Sequence, residues 1–385
     1  MFYLGIDQHA RQLTVNLRDI NGDVLLRKQV STRPAKITQF FEELTRRCIE
    51  NGCGFWAIVE VCGFNDWLIG MLKNFRCQRI VLVQPEDSGK RKTDRRDAAK
   101  LSELLWLFRK RIQQNKPIDK LRIVKFPSSI QLHGRRLTTL RKDARVNHGR
   151  AINQIRNLLR RHNLQHEMPT KTFPTIAAIK WLKSLKLPTA DRIELDHALQ
   201  DLHRYGQRVT ELDIAIAELS ADDEDAKLLA KTPGIALFSS VALSSRIAGI
   251  ERFKRPRALA NYFGLTPGCR NSGEKNERLG RITKAGSSMA RWVLGQASKH
   301  ILRTDPAMRA WFKRLKRKKG SKIARVAVMR RMATIIWHML SKRKTWAQVR
   351  SLGIGGESPC PTTEMNSLEL TNGCIEINTP KSNQR

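Results

Sequence analysis

The sequence predicts an α/β domain at the N-terminus followed by an all-α remainder. Three observations carry this expectation. Short apolar runs alternate with helical periods from residue 2 to about 105, whereas from Ser128 onward the apolar residues recur at three- and four-residue steps. The hydrophobic fraction of 41% is that of a folded chain. The length, 385 residues, allows two or three domains with sizeable cores.

The first strand is Phe2-Tyr3-Leu4-Gly5-Ile6, ending at Asp7. Gln12–Arg18 and Val24–Val30 alternate polar and apolar, and Asn21-Gly22 between them is a strong hairpin signal. Pro34 opens a helix that Asn51-Gly52 stops. Phe55–Val61 is an apolar strand with one charge, Glu60, near its end. A helix from Asn65 to Phe75 and a buried strand at Arg79–Val83 follow. Thr93-Asp94-Arg95-Arg96-Asp97 then opens an amphipathic helix with Ala98, Leu101, Leu104 and Leu105 on one face. Three antiparallel strands, then alternating helix and parallel strand, is the order of a ribonuclease-H-like fold.

Beyond the α/β region, residues 135–161 hold nine Lys/Arg against one Asp, with Arg135, Arg136, Arg141 and Lys142 at the start of the stripe. The helical stretch at about 190–229 has the opposite sign, with eleven acids to three Arg between Asp191 and Asp225. Such a pair predicts an antiparallel hairpin or an oligomerisation arm. Lys231-Thr232-Pro233-Gly234-Ile235 starts a helix-turn pattern like a helix-hairpin-helix, and fifteen Lys/Arg with no acid lie between Arg309 and Arg350. Trp311, Trp337 and Trp346 in that stretch serve either as buried anchors or as stacking platforms for bases. Met329, Met332 and Met339, at helical spacing, are assigned to the core. The domains expected are an α/β domain at 1–125, a helical arm at 126–230, a compact helical domain at 231–350 and a polar, disordered tail at 351–385.

The charge balance narrows the function. Seventy-two Lys+Arg against 35 Asp+Glu leave a net charge of +37, which calls for a polyanionic partner, most simply nucleic acid. No apolar run reaches the length of a membrane span. The N-terminus lacks the basic and apolar regions of a signal peptide. Seven scattered cysteines fit reduced thiols and a cytoplasmic, nucleoid-associated location. Cys48, Cys53, Cys62 and Cys77 form no CxxC pair, so zinc is not expected. His162 and His166, at i and i+4, are expected on a helix surface beside the basic stripe.

Four carboxylates carry the candidate chemistry. Asp7 and Glu60 stand at strand ends, where α/β sheets place ligands, and Asp94 and Asp97 share one helix face. Clustered hard oxygens of this kind suit Mg²⁺, and about two such ions assist phosphoryl transfer in known sites. A second feature is the Gly-rich stretch from Gly268 to Gly286, in which Ser272 is surrounded by Arg270, Lys275, Arg278, Arg281 and Lys284. Cations there draw in a phosphate and stabilise its transition state. Ser287 and Ser288 lie close by, and spacing alone does not choose among the three serines.

These elements resemble the insertion-sequence transposases of the family called IS one-ten, with its eleven-eleven subgroup, over nearly all of residues 1–350. Ile6-Asp7, Val59-Glu60 and Thr93-Asp94-Arg95-Arg96-Asp97-Ala98 are similar to its RuvC-like domain. Lys231–Ile235, Leu259–Pro267 and Ser272–Gly286 are similar to its C-terminal transposase domain. The resemblance implies an Asp-Glu-Asp-Asp metal site at Asp7, Glu60, Asp94 and Asp97, a serine nucleophile at Ser272, and a structured bridge RNA that selects donor and target DNA. It also implies homo-oligomers in which one subunit's tetrad works with another's serine. A RuvC-like nuclease that resolves branched DNA with water, or a non-enzymatic RNA-binding protein, are the alternatives.

Overall fold

The computed structural model describes residues 1–84, 94–116, 118, 121–270 and 278–353, with the backbone alone described at 94–96, 269–270 and 278–279. It divides into two compact units, Met1–Phe126 and Pro127–Arg385. Residues 354–385 of the expected tail and the serine loop at 271–277 lie outside the described residues, while Ser351, the first residue of that tail, is still helical.

The first unit runs β1 (Phe2–Gln8), β2 (Gln12–Arg18), β3 (Val24–Ser31), α1 (Pro34–Glu50), β4 (Phe55–Glu60), α2 (Asp66–Asn74), β5 (Arg79–Val83), α3 (Asp94–Leu107) and α4 (Arg109–Gln113). The sheet order is β3-β2-β1-β4-β5. β1–β2 and β2–β3 pair antiparallel, while β1–β4 and β4–β5 pair parallel. Because strand side chains alternate, β1, β4 and β5 each feed two cores, while β2 and β3 feed one. Leu4, Ile6, Leu13 and Val15 pack with Phe40, Phe41 and Leu44 of α1 and with Leu68 and Leu72 of α2. Tyr3, Ile58, Val81 and Val83 pack on the other face with Leu101 and Leu105 of α3. Both faces are therefore covered, as a mixed sheet with central parallel strands requires. Sequence reasoning assigned no element after α3. The chain there forms α4 and then lies along β5, where Val83 bridges Ile123 and Val124 N–H donates to Leu82 O at 2.8 Å.

The second unit is mainly helical: α5 (Ser129–Arg161), α6 (Ile176–Ser184), α7 (Thr189–Ser220), α8 (Glu224–Ala230), α9 (Leu237–Ile247), α10 (Pro256–Tyr262), α11 (Ser288–Thr304), α12 (Pro306–Lys342) and α13 (Trp346–Ser351). A Ser128–Gln131 capping box starts α5. α5 and α7 form an antiparallel pair: Arg141 meets Asp213 at 2.9 Å, while Arg161, further along α5, meets Asp191, further back along α7. Ile155, Leu158 and Leu159 of α5 and Leu195, Leu199 and Leu202 of α7 fill the interface. The hairpin reading holds, with two corrections. The acidic stretch is not one helix, because Asp223 Oδ1 accepts from Ala226 N–H at 2.9 Å and starts α8 afresh. His162 and His166 do not share a helix: His162 is the C-cap of α5, 3.0 Å from Asp191 Oδ2, and His166 lies beyond it.

The region expected to be wholly helical also contains a two-stranded antiparallel hairpin, β6 (Pro267–Arg270) and β7 (Arg278–Ile282). Its strands are short and interrupted by Gly268 and Gly280, so the stretch reads as a glycine-rich loop until a partner strand is present. Elsewhere the core is as expected, with Met329, Met332 and Met339 buried among α9, α11 and α12 side chains. The tryptophans are anchors. Trp346 is buried, Trp337 Nε1 donates to Phe253 O at 2.8 Å, and the Trp311 ring packs against the core with the Arg331 guanidinium 4.0 Å from its centroid.

Candidate active site

Asp7 is the penultimate residue of β1, and Glu60 is the last residue of β4. The parallel register pairs Ile6 with Val59, which brings the next residue of each strand side by side at the carboxyl end of the sheet. Alternation then fixes their face. Tyr3 and Ile58 point toward α3, so Asp7, four residues after Tyr3, and Glu60, two after Ile58, point the same way.

Helix α3 supplies the third carboxylate because it crosses β1 at very close range. A Cβ on Gly5 would collide with Ala98 O and sit 2.5 Å from Ser102 N. Only glycine allows that approach, which brings Ala98, the neighbour of Asp97, against the strand that carries Asp7. Ser102 locks the crossing, with its hydroxyl donating to Asn16 Oδ1 at 2.7 Å and accepting from Arg18 Nε at 3.1 Å. Asp94 begins α3; its backbone is helical and its side chain is outside the described residues.

Sequence reasoning missed four polar residues around these acids. His9 Nε2 lies 3.1 Å from Asp7 Oδ2, and Asp7 is only 15% exposed at its side chain. Buried Asn65 donates through Nδ2 to Gln8 Oε1 at 2.8 Å and to Glu60 O at 3.1 Å, while its Oδ1 accepts from Cys62 N–H at 2.6 Å. This clamp ties the end of β4 to the end of β1. Thr14 stands directly across from Asp7 in the β1–β2 register, and its buried hydroxyl has no hydrogen-bond partner among the described residues. Polar side chains immediately beside an acidic strand end were the available signal.

Carboxylate and hydroxyl oxygens are the kind of donor that a hard divalent cation takes. Three carboxylates share one face, Asp7 is largely shielded, and a buried hydroxyl without a partner lies opposite it. Among the described residues, no group of three or more His, Cys, Asp or Glu side chains is close enough to hold a metal ion, and the Asp94 side chain is not among them.

In the second unit, Arg270 and Arg278 are register partners at the ends of β6 and β7, and the chain between them includes Ser272 and Lys275, both outside the described residues. Arg281 and Lys284 are exposed on the returning side. Ser287 is occupied: it is the N-cap of α11, its hydroxyl accepting from Ala290 N–H at 3.2 Å. Ser288 is exposed in the first turn of that helix.

The basic stripe of α5 is divided in use. Arg135 Nε donates to Ser245 O at 2.9 Å at the carboxyl end of α9, and burial lowers its affinity for its proton. Arg141 makes a two-pronged contact with Asp213 at 2.9 and 3.0 Å and lies over the Phe238 ring. Lys142 Nζ sits 5.5 Å from the Trp292 ring centroid. Arg136 is exposed. Arg246, on α9, is buried, and its guanidinium donates to Thr138 Oγ1, Thr139 Oγ1 and Ala242 O. Burial first, then the nearby Arg135 charge, lowers the Arg246 pKa to about 10.

Two family models match the chain. One, a transposase model of the DEDD IS110 type, covers residues 4–164; the other, described as the transposase IS116/IS110/IS902 family, covers residues 226–313. The chain is similar to the transposase for insertion sequence element IS1111A of Coxiella burnetii, 25% identical over 329 residues, 83% of this chain and 85% of the relative. It is also similar to the y4pF/y4sB protein of Sinorhizobium fredii, which bears a transposase designation. That match is 25% identical over 345 residues, 84% of this chain and 80% of the relative.

Proposed function

The chain belongs to the IS116/IS110/IS902 family of insertion-sequence transposases, and from that premise we propose that it cuts and rejoins DNA with two pieces of chemistry, one in each unit. The observation that carries the proposal is the register of β1 and β4, which sets Asp7 and Glu60 side by side facing the helix that bears Asp97. Asp7, Glu60, Asp94 and Asp97 would hold the metal. When bound, Mg²⁺ neutralises phosphate charge and lowers the barrier to in-line displacement. His9 and the Gln8–Asn65 clamp hold the strand ends in position.

In the second unit, Ser272 Oγ attacks the phosphorus. A serine–phosphate bond forms, one phosphorus–deoxyribose oxygen bond breaks, and the serine proton ends on the departing sugar oxygen. Attack by that or another sugar hydroxyl reverses the step and rejoins a strand with no external energy source. Arg270, Lys275, Arg278, Arg281 and Lys284 stabilise the charge that builds on the phosphate. The Ser287 cap supports Ser272 over Ser287, since a capping hydroxyl is already engaged. A structured bridge RNA would bind through shape and phosphates, with sequence left to base pairing. Homo-oligomers would combine the carboxylates of one subunit with the serine of another.

Denaturing electrophoresis of labelled DNA tests the reading. Wild type is expected to give a protease-sensitive, slowly migrating DNA adduct, and Ser272→Ala and Asp7→Asn each to abolish it while binding DNA normally. Cleavage without any adduct would leave a water-using nuclease; an adduct surviving in Ser272→Ala and lost in Ser288→Ala would move the nucleophile.

A further inference from the structure

At the base of the β6–β7 hairpin the surface opens into a cleft of about 450 Å³, lined by Lys254, Arg255, Arg257, Asn261 and Thr266. Its position follows from the local chain. Pro256 opens α10, so Arg257 and Asn261 stand at i and i+4 on one helix face. Lys254 and Arg255 precede the helix and are exposed. Thr266 closes the other side: its hydroxyl donates to Asn261 Oδ1 at 2.8 Å, and its carbonyl accepts from Thr283 N–H at 2.9 Å across the hairpin. With Asn261 Oδ1 taken up in this way, its amide hydrogens are the group left to serve an acceptor.

The charge around the cleft is mainly positive. From residue 226 to 304 the sequence holds three acids, Glu251, Glu274 and Glu277, against fifteen Lys/Arg. Arg281 and Lys284, exposed on and after β7, extend the positive surface along the hairpin. Three cations and an amide donor around an open cleft match a phosphodiester oxygen rather than a carboxylate metabolite, because the cleft is open and, although its donors lie on and before α10, its far wall at Thr266 and Pro267 runs into β6.

We propose that this cleft holds the backbone phosphates of the DNA strand that enters the β6–β7 hairpin, with Lys254, Arg255 and Arg257 as the charge contacts and Asn261 as a hydrogen-bond donor. The inference rests on the proposed DNA chemistry of the hairpin and adds a positioning site outside the Gly268–Gly286 stretch. Gripping the backbone beside the reacting phosphate fixes the strand's register without reading its sequence.

The test is equilibrium binding of a duplex DNA of mixed sequence, and of a single-stranded RNA of equal length, to the full chain over a salt series. The variants are Lys254→Gln/Arg255→Gln/Arg257→Gln and Asn261→Ala. A control, Arg27→Gln/Lys28→Gln/Lys36→Gln, removes the same charge from exposed positions in the first unit. The cleft triple variant is expected to lower the slope of log affinity against log salt by roughly 2 to 3 and DNA affinity by at least about tenfold at physiological salt. The control is expected to change DNA affinity far less, and Asn261→Ala to weaken DNA binding with no change of slope. Equal losses in the triple variant and the control would reduce the cleft to general charge and overturn the site. A loss confined to RNA would overturn DNA as its occupant. Wild-type DNA binding that ignores salt would instead bring down the underlying reading.

Discussion

Two basic helices look alike as charge patterns and are used differently. Helix α5 carries nine Lys/Arg between residues 135 and 161, yet it lies against the acidic α7, and several of its cations point inward or sideways to partners: Arg141 to Asp213, Arg161 to Asp191 and Glu194, Arg135 to the carbonyl end of α9. The first half of α12 has no acid in its sequence through residue 350, and Lys313, Lys316, Arg317, Lys318, Lys319 and Lys322 are exposed before and after the break at Gly320. The lesson is that a count of charge predicts a surface only where no oppositely charged element packs beside it. On α5 part of the charge holds the fold together; on α12 it is exposed.

The sharpest way to break the comparison is inside the fold. Arg246 belongs to the same charged region as Arg135 but is buried, and its donors satisfy Thr138, Thr139 and a helix carbonyl. Arg246→Met is expected to cost about 3 kcal/mol of stability, because those acceptors stay buried without a donor. Denaturant unfolding measures it, and an unchanged midpoint would remove the structural role assigned to inward-facing cations.

A smaller effect, on binding alone, is expected from α12. Lys316→Gln/Arg317→Gln/Lys318→Gln/Lys319→Gln should leave the melting temperature in place and flatten the salt dependence of DNA binding, by about 0.9 in slope for each phosphate left without its cation. A large fall in melting temperature would mean that these cations, too, hold the fold together.

The smallest effect is expected from the α5–α7 pair. Arg141→Ala should lower stability by about 0.5–1 kcal/mol, since Asp213 is half exposed and water screens the pair, and should leave the DNA salt slope untouched. A slope reduced by about one would return Arg141 to the nucleic-acid surface.

The sequence by itself determined the sheet. The apolar runs ending in Asp7 and Glu60, the Asn21-Gly22 turn and the Pro34 helix start all appear where local periodicity and turn chemistry put them, because each signal is contained within a few neighbouring residues. It also singled out Asp7, Glu60, Asp94 and Asp97 as candidates, since an acid at the end of an apolar strand or on one face of a short helix is visible in one dimension. What only the tertiary structure decided depends on residues far apart in the chain. Gly5 reads as an ordinary strand residue until α3 crosses it, and Gln8, His9, Thr14 and Asn65 come beside the candidate carboxylates only through register and crossing. The β6–β7 hairpin was hidden because a short, glycine-interrupted strand has little preference of its own and exists only through its partner. The same holds for charge: Arg141 and Lys316 are both cations on basic helices, and only the packing of α7 against α5 assigns the first to the fold and leaves the second to solvent.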